Sequence, residues 1–505
     1  MELGDQKQRP PIVVIMGHVD HGKTTLLDYI RKTNVGLSAA SKGGEPRSIA
    51  EREAGGITQA VGAYEIEHSS AASGEARRIT FIDTPGHEAF RAMRSRGAQA
   101  ADLAVLVIAA DDGVKPQTKE AIKILEETKT PFVVAMSKID KPGANVEKLK
   151  VDLASEGVLL EGFGGQVSYH GISSKTGEGV SDLLDLILLT SDLEGLTYDP
   201  AAPASGFILE ARRDPRRGFE VSVIIKNGTL KCGETVNTQT AGGKIKILEN
   251  FLGKTVDSLE PSSPALIIGF ESLPNVGELF EAGEPKQFAD AKPSGRRVSQ
   301  APAKKGNSLN LILKASDAGS LEVLSSVLRN LDQKGGKELR VVDESVGDVT
   351  DGDVKHAIAT SSTIIGFKNR VEKGAKNLAE AQTLTIITSS IVYDLSKVVE
   401  EFLTGARGPA ALGELEVLAV FNQEKLQKQL IGGRVTGGVV RGKAQFELLR
   451  SENEGSSKEP VGAGKVLELR EKKAEITQAE KGKEIGLLVN SETKINVGDV
   501  LVIKK

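Results

Sequence analysis

Between Gly17 and Thr24 the chain reads Gly17-His18-Val19-Asp20-His21-Gly22-Lys23-Thr24, entered from the apolar run Ile12 to Met16 and leaving through Thr25 into a helix-like stretch that ends near Arg31. A glycine-bearing turn of this spacing can aim successive backbone N–H groups at an anion, and the helix that follows adds the positive end of its dipole. Lys23 can then reach the outer phosphates of a nucleoside triphosphate, and the Thr24 hydroxyl can ligate the magnesium ion that bridges them. On its own the run is also compatible with a chance glycine turn, and the blocks downstream decide between the two.

The strand-like run Arg78 to Ile82 ends in Asp83-Thr84-Pro85-Gly86-His87. Read as an ordinary turn this closes a strand; read as a second phosphate-sensing loop it places the Asp83 carboxylate on magnesium through water and the Gly86 amide on the last phosphate. Its position one strand after the cradle favours the second reading. After the run Pro131 to Met136 comes Ser137-Lys138-Ile139-Asp140. Guanine offers N1–H and a 2-amino group together, so one carboxylate, Asp140, can accept both, whereas adenine leaves it unsatisfied. Such a polar site rejects the incomplete partner by up to ~10⁴-fold, which makes GTP the expected ligand over ATP. Lys138 would lie along the base plane, and Ser173-Ser174-Lys175, after the run Gln166 to Ile172, would cover the guanine from the other side.

The order of these blocks, each at the end of a predicted strand where open α/β sheets bind ligands, resembles that of the translational GTPases. The stretches Gly17 to Asp28, Gly55-Gly56-Ile57-Thr58-Gln59, Asp83 to Phe90, Leu309 to Ala315, Ile364 to Phe367 and Ser390 to Leu395 are similar to bacterial translation initiation factor two. The resemblance implies a switch that places formylmethionyl initiator tRNA on the small ribosomal subunit, promotes joining of the large subunit and hydrolyses GTP to GDP when the ribosome stimulates it. It implies that Thr58 joins Thr24 and Asp83 around Mg2+, that His87 positions the attacking water behind an apolar gate of Val19 and Ile57, and that Asp20 is a candidate for a monovalent cation near the phosphates. Without the resemblance, His87 also reads as a surface residue at a helix start. The family carries Asn where this chain has Ser137, a shorter side chain expected to lose a contact to the base or to the cradle at a cost of ~1 kcal/mol.

A second departure lies near the C-terminus. The family's initiator-tRNA pocket carries Gly-Cys-x-Val and Glu-Cys-Gly, and the corresponding stretches here are Gly432-Gly433-Arg434-Val435 and Glu484-Ile485-Gly486, without either cysteine. Gly433, Arg434, Glu484 and Gly486 are the candidates for that pocket, with barrel turns the alternative reading. Arg212, Arg213, Arg216 and Arg217, around Asp214-Pro215, read either as a solvated turn or as a contact for ribosomal RNA phosphates.

The elements that must position these residues follow from pattern and length. The chain has 505 residues, and at about 150 residues per domain this points to three or four domains. From Pro11 to about Thr197 strand and helix patterns alternate, which predicts a doubly wound, mostly parallel sheet. The expected organisation is a GTP-binding domain over 1–198, a β-barrel over 199–290, a basic linker over 291–306, a three-layer αβα domain over 307–406 and a second β-barrel over 412–505. The Gly-, Ser- and Ala-rich stretch Thr33 to Gly56 is read as a switch loop leading into Thr58. The linker cations Lys292, Arg296, Arg297, Lys304 and Lys305 are read as solubilising. A net charge of −4 and one cysteine, Cys232, exclude a generally basic nucleic-acid protein and an intramolecular disulfide framework. With no apolar run near ~18 residues, a soluble, cytoplasmic monomer is expected. The nearness of the cradle to Met1 suggests, on the resemblance, that the family's long N-terminal extension is missing. An elongation-type aminoacyl-tRNA carrier is disfavoured by the alternating pattern of Leu309 to Leu403. A nucleotide kinase or sulfate-activating enzyme would need an acceptor site not found in the sequence, and a non-hydrolysing GTP-binding scaffold is the third alternative.

Overall fold

The computed structural model describes residues 6–33, 62–69, 74–285, 308–332, 338–404, 413–426, 428–450, 459–471, 474–480 and 482–504. It divides into two compact units, 1–397 and 398–505.

The first unit begins with a six-stranded sheet of β1 (Ile12–Gly17), β2 (Gly62–Ser69), β3 (Ala76–Asp83), β4 (Leu103–Ala109), β5 (Phe132–Ser137) and β6 (Tyr169–Gly171), in the order β2-β3-β1-β4-β5-β6. Every pairing is parallel except β2 with β3. β1 and β4 are apolar throughout and wholly buried because helices cover both faces. On one face lie α1 (Lys23–Thr33) and α5 (Val180–Leu193), whose Leu26, Leu27, Ile30, Leu183 and Ile187 pack on Val13, Ile15, Val105 and Val107. The other face packs α2 (Arg91–Ala100), α3 (Pro116–Thr128) and α4 (Val146–Ser155) on Val14, Met16, Leu106 and Ile108.

A closed barrel follows, built from β7 (Ser205–Asp214), β8 (Gly218–Asn227), β9 (Thr235–Asn237), β10 (Gly242–Asn250), β11 (Pro264–Phe270) and β12 (Leu279–Ala282) in the order β8-β11-β10-β9-β12-β7. Its Phe207, Leu209 and Ile224 join the apolar cluster under α2, α3 and α4. The charged seam beside them is Asp102, which takes two bonds from Arg9 at 2.6 and 2.7 Å and one from Lys226 at 2.7 Å. The barrel is thus fastened to the first domain by shared core and by a part-buried ion triad.

Four parallel strands, β13 (Ser308–Ala315), β14 (Glu338–Val346), β15 (Ser362–Phe367) and β16 (Ile386–Ser389), complete the unit in the order β14-β13-β15-β16. Between them run α6 (Ala318–Asp332), α7 (Asp351–Thr360) and α8 (Lys373–Ala381). Ile312 and Ile364 meet Val354 and Ala357 of α7 and Ala375 and Ala379 of α8 on one face. The helix Val392–Thr404 crosses the division between the two units.

In the second unit the strands Gly413–Lys425, Val500–Lys504, Gln445–Arg450, Glu459–Glu471, Glu484–Ser491 and Lys428–Arg441 pair in that order, and the last returns to pair with the first. The ring closes around Leu415, Ile431, Phe446, Leu487 and Ile503, each at most 1% exposed. Among the described residues no helix is long and apolar enough to cross a membrane.

Candidate nucleotide site

Both motif glycines of the cradle are required by geometry. Gly17 has φ +139° and a Cβ there would sit 2.2 Å from the Val107 carbonyl oxygen, while Gly22 has φ +91°. Between them Asp20 holds φ +67°, a left-handed conformation that costs a non-glycine residue roughly 1 kcal/mol. Lys23, at the first position of α1, is buried, and its Nζ donates to the carbonyls of Gly17 at 2.9 Å and His18 at 2.6 Å. Burial lowers its pKa to about 8, against the pull of Asp83 in the opposite direction. His21 is held lower still, at about 4, by burial and by the neighbouring His18, so the loop carries neutral imidazole there. Thr24 and Thr25 open α1.

The loop after β3 closes on this cradle. Asp83 and Thr84 are buried, and Thr84 Oγ1 donates to the Ile15 carbonyl at 2.8 Å. A Cβ on Gly86 would stand 2.6 Å from Lys23 Nζ and 3.2 Å from both the amide nitrogen and Cγ2 of Val19. Gly86 therefore meets Lys23 and Val19 at one point, and the space there exists because residue 86 has no side chain.

His87 begins the short turn Glu88–Phe90, with its Nδ1 accepting from the Ala89 amide at 2.9 Å and its ring edge-on to Phe90. It is a helix-start residue, as one reading of the sequence had it, but it is 5% exposed and so not on the surface. Burial lowers its pKa, and an accepting Nδ1 leaves the hydrogen of the neutral ring on Nε2.

The blocks expected to read the base lie at the ends of β5 and β6. Ser137 is buried and its Oγ donates to the His21 carbonyl at 2.5 Å. The shorter side chain thus still reaches the Gly17–Thr24 loop, because the end of β5 lies beside the His21 carbonyl. Lys138 adopts φ +60°. The Ile139 amide bonds the Ile172 carbonyl at 3.3 Å, tying this loop to the next. Asp140 is exposed. Ser173 is buried and caps its own loop by accepting from the Thr176 amide, Ser174 Oγ is buried, and Lys175 is exposed.

Two interactions went unread in the sequence. Arg94, 1% exposed, donates from Nη1 to the carbonyls of Pro85 and His87 and from Nη2 to Glu120. Gln117 Oε1 accepts the Val19 amide at 3.0 Å. The signal available in the sequence was an arginine at an apolar position of α2, beside Met93 and Ala98. Ile57 and Thr58 lie outside the described residues, as do the proposed switch loop and the linker cations.

In the C-terminal unit, Arg434 pairs in register with Glu484, and Gly433 with Ile485. Arg434 and Glu484 form an exposed ion pair at 2.7 Å, and Gly486 is half-exposed opposite Gly432. Gly433 faces inward: a Cβ there would meet Leu415 Cδ2 at 2.4 Å, and its neighbour Ile485 belongs to the core. Of the barrel arginines, Arg212 and Arg217 are paired with Glu220, and Arg217 also with Glu249.

The doubly wound sheet with its motif loops at the strand ends, followed by a closed barrel, has the architecture of a translational GTPase. The chain matches the profiles described as elongation factor Tu GTP binding domain over residues 8–191, elongation factor G domain 2 over 203–283 and translation-initiation factor 2 over 286–400. It is 37% identical to translation initiation factor IF-2 of a Nitratiruptor species, covering 98% of this chain and 58% of that one, so it spans less than two thirds of that relative's length. It is also 37% identical to the IF-2 of Rubrobacter xylanophilus, covering 98% and 71%, and 38% identical to that of Chloroflexus aurantiacus, covering 98% and 67%. A solved structure of GDP-bound aIF5B from Aeropyrum pernix is 23% identical, with a TM-score of 0.46 and coverage of 98% of this chain and 92% of that one. The chain belongs to the translation initiation factor IF-2 family.

Proposed function

We propose that the chain binds GTP with magnesium, delivers formylmethionyl initiator tRNA to the small ribosomal subunit in the cytoplasm, promotes subunit joining, and hydrolyses GTP when the ribosome stimulates it. The observation that carries this reading is the convergence at Gly86, where the absent side chain leaves room against Lys23 Nζ and Val19 at 2.6 and 3.2 Å.

In this reading Lys23 exchanges its two carbonyl partners for the outer phosphates, and the amides of His18 to Thr25 line the cradle. Thr24 and Asp83, with Thr58, supply the hydroxyl and carboxylate oxygens that suit a hard divalent cation. Magnesium held there would neutralise charge on the outer phosphates. Asp140 stands exposed to accept the two guanine donors, Lys138 and Ile139 flank the base, Ser137 ties the base loop to the cradle, and Ser173, Ser174 and Lys175 cover the opposite face. Asp20 is assigned to a monovalent cation. His87, neutral with its hydrogen on Nε2, orients water by donating to it; its Nδ1 is occupied by Ala89. The seam of Arg434, Glu484 and Gly486, with backbone from Gly433, is the proposed contact for the acceptor end of the initiator tRNA, and the factor acts as a monomer.

The test is GTP hydrolysis measured with ribosomes, with formylmethionyl-tRNA, with its unformylated form and without tRNA. Stimulation by ribosomes and a response to the formyl group support the reading. Hydrolysis indifferent to ribosomes rejects it.

A further inference from the structure

Gln117 and Glu120 lie three residues apart on α3 and therefore share a face of that helix. From that face Gln117 holds the Val19 amide at 3.0 Å. Glu120 holds Arg94 Nη2 at 2.7 Å, and Arg94 Nη1 in turn donates to the carbonyls of Pro85 at 3.0 Å and His87 at 2.5 Å. The loops gripped in this way touch each other at Gly86 and Val19. Both walls of the phosphoryl end thus hang from one helix whose own apolar side, Ala121, Ile122 and Leu125, is packed on the central sheet.

Arg94 makes the arrangement costly. Taking a guanidinium to 1% exposure forfeits its hydration, and an apolar residue would fill the same space beside Met93 and Ala98 without that penalty. What the arginine adds is direction: its planar fork reaches two loop carbonyls and a carboxylate together.

We propose that Gln117, Glu120 and Arg94 form a positioning relay that sets the separation between Val19 and His87, and with it the rate of hydrolysis. This rests on the assignment of His87 as the residue that positions water. A displacement of about 1 Å at such a site lowers a rate by about 10²-fold while leaving the ground state bound.

The experiment uses the full chain with ribosomes, measuring single-turnover GTP hydrolysis and GTP affinity for Arg94→Lys, Glu120→Ala, Glu120→Gln and Gln117→Leu, alone and combined with His87→Ala. Arg94→Lys and Glu120→Ala are expected to slow hydrolysis by about 10- to 100-fold with GTP affinity held within about threefold. Glu120→Gln, whose amide oxygen still accepts from Arg94, should recover most of the rate. In the His87→Ala background Arg94→Lys should add nothing. A loss that multiplies with that of His87→Ala, or that appears in affinity and not in rate, overturns the relay. Wild-type hydrolysis by His87→Ala alone overturns the His87 assignment and the relay with it, so the two failures are distinct. Where Arg94→Lys does not fold, Gln117→Leu at its half-buried position carries the same comparison, with the same expected and contrary results.

Discussion

Glu210 sits where the first sheet domain, the barrel and the αβα domain meet, and replacing it with glutamine should change stability in a pH-dependent way. Its Oε1 accepts from the amides of Ala211 at 2.9 Å and Gly319 at 3.1 Å, the latter at the start of α6, and its Oε2 is buried. A Cβ on Gly319 would meet Met93 Cε at 2.5 Å and Glu210 Oε2 at 2.7 Å, so the junction is tight. Burial, and then the neighbouring Asp317, push the Glu210 pKa from 4.5 up to about 8, with the two amides and Arg96 of α2 pulling the other way. Because the folded value lies above the unfolded one, the folded chain binds the extra proton between these limits. Stability is then fully present below pH about 4.5 and is lost as pH rises through about 8. At about 1.4 kcal/mol per pH unit the full window sets an upper limit of about 5 kcal/mol, and an effect on the order of 2 kcal/mol is expected. Glutamine keeps the accepting oxygen and cannot ionise. Glu210→Gln should therefore be near neutral at pH 5 and stabilising by about 2 kcal/mol at pH 8. Thermal or urea unfolding of both proteins at matched pH checks this, since titrating groups that do not interact with Glu210 cancel in the difference. An unchanging difference across pH, or destabilisation at pH 8, would refute the reasoning.

Four further outcomes concern the nucleotide site. His87→Ala should leave GTP affinity nearly unchanged while ribosome-stimulated single-turnover hydrolysis collapses; a wild-type rate rejects its role. Lys23→Ala should weaken GTP binding itself, and calorimetry showing unaltered affinity would count against the cradle. Asp140→Ala should cut the preference for GTP over ATP by about 10²-fold or more, since the polar partner of guanine is gone; retained discrimination in competition binding places base recognition elsewhere. Ser137→Ala removes the bond to the His21 carbonyl and should cost about 1 kcal/mol in GTP binding or in stability. A neutral outcome in both measurements would show that bond to be dispensable.

Much of the first domain was legible because its signals are local. The run Leu103 to Ala109 is a buried strand in the sequence and in the fold with the same limits. The glycine spacing of the cradle matches the backbone at Gly17 and Gly22, both at positive φ, with Asp20 the one non-glycine residue of the turn that shares it. The antiparallel edge strand Gly62–Ser69 was not read from the sequence, although Tyr64 and Ile66 alternate with Glu65 and Glu67, because only two of its side chains are apolar and buried. The run Gln166 to Ile172 shrank to the strand Tyr169–Gly171, with Leu160 and Val167 drawn into an isolated bridge.

Sequence alone determined which residues could bind a triphosphate and read guanine, because those capacities depend on residue type at short spacing. Tertiary structure alone decided what holds them: Arg94 against Pro85 and His87, Gln117 against Val19, and Ser137 beneath His21. Each joins positions from different strand ends, and a hydrogen bond across such a span depends on distances that only the packed sheet and its covering helices create.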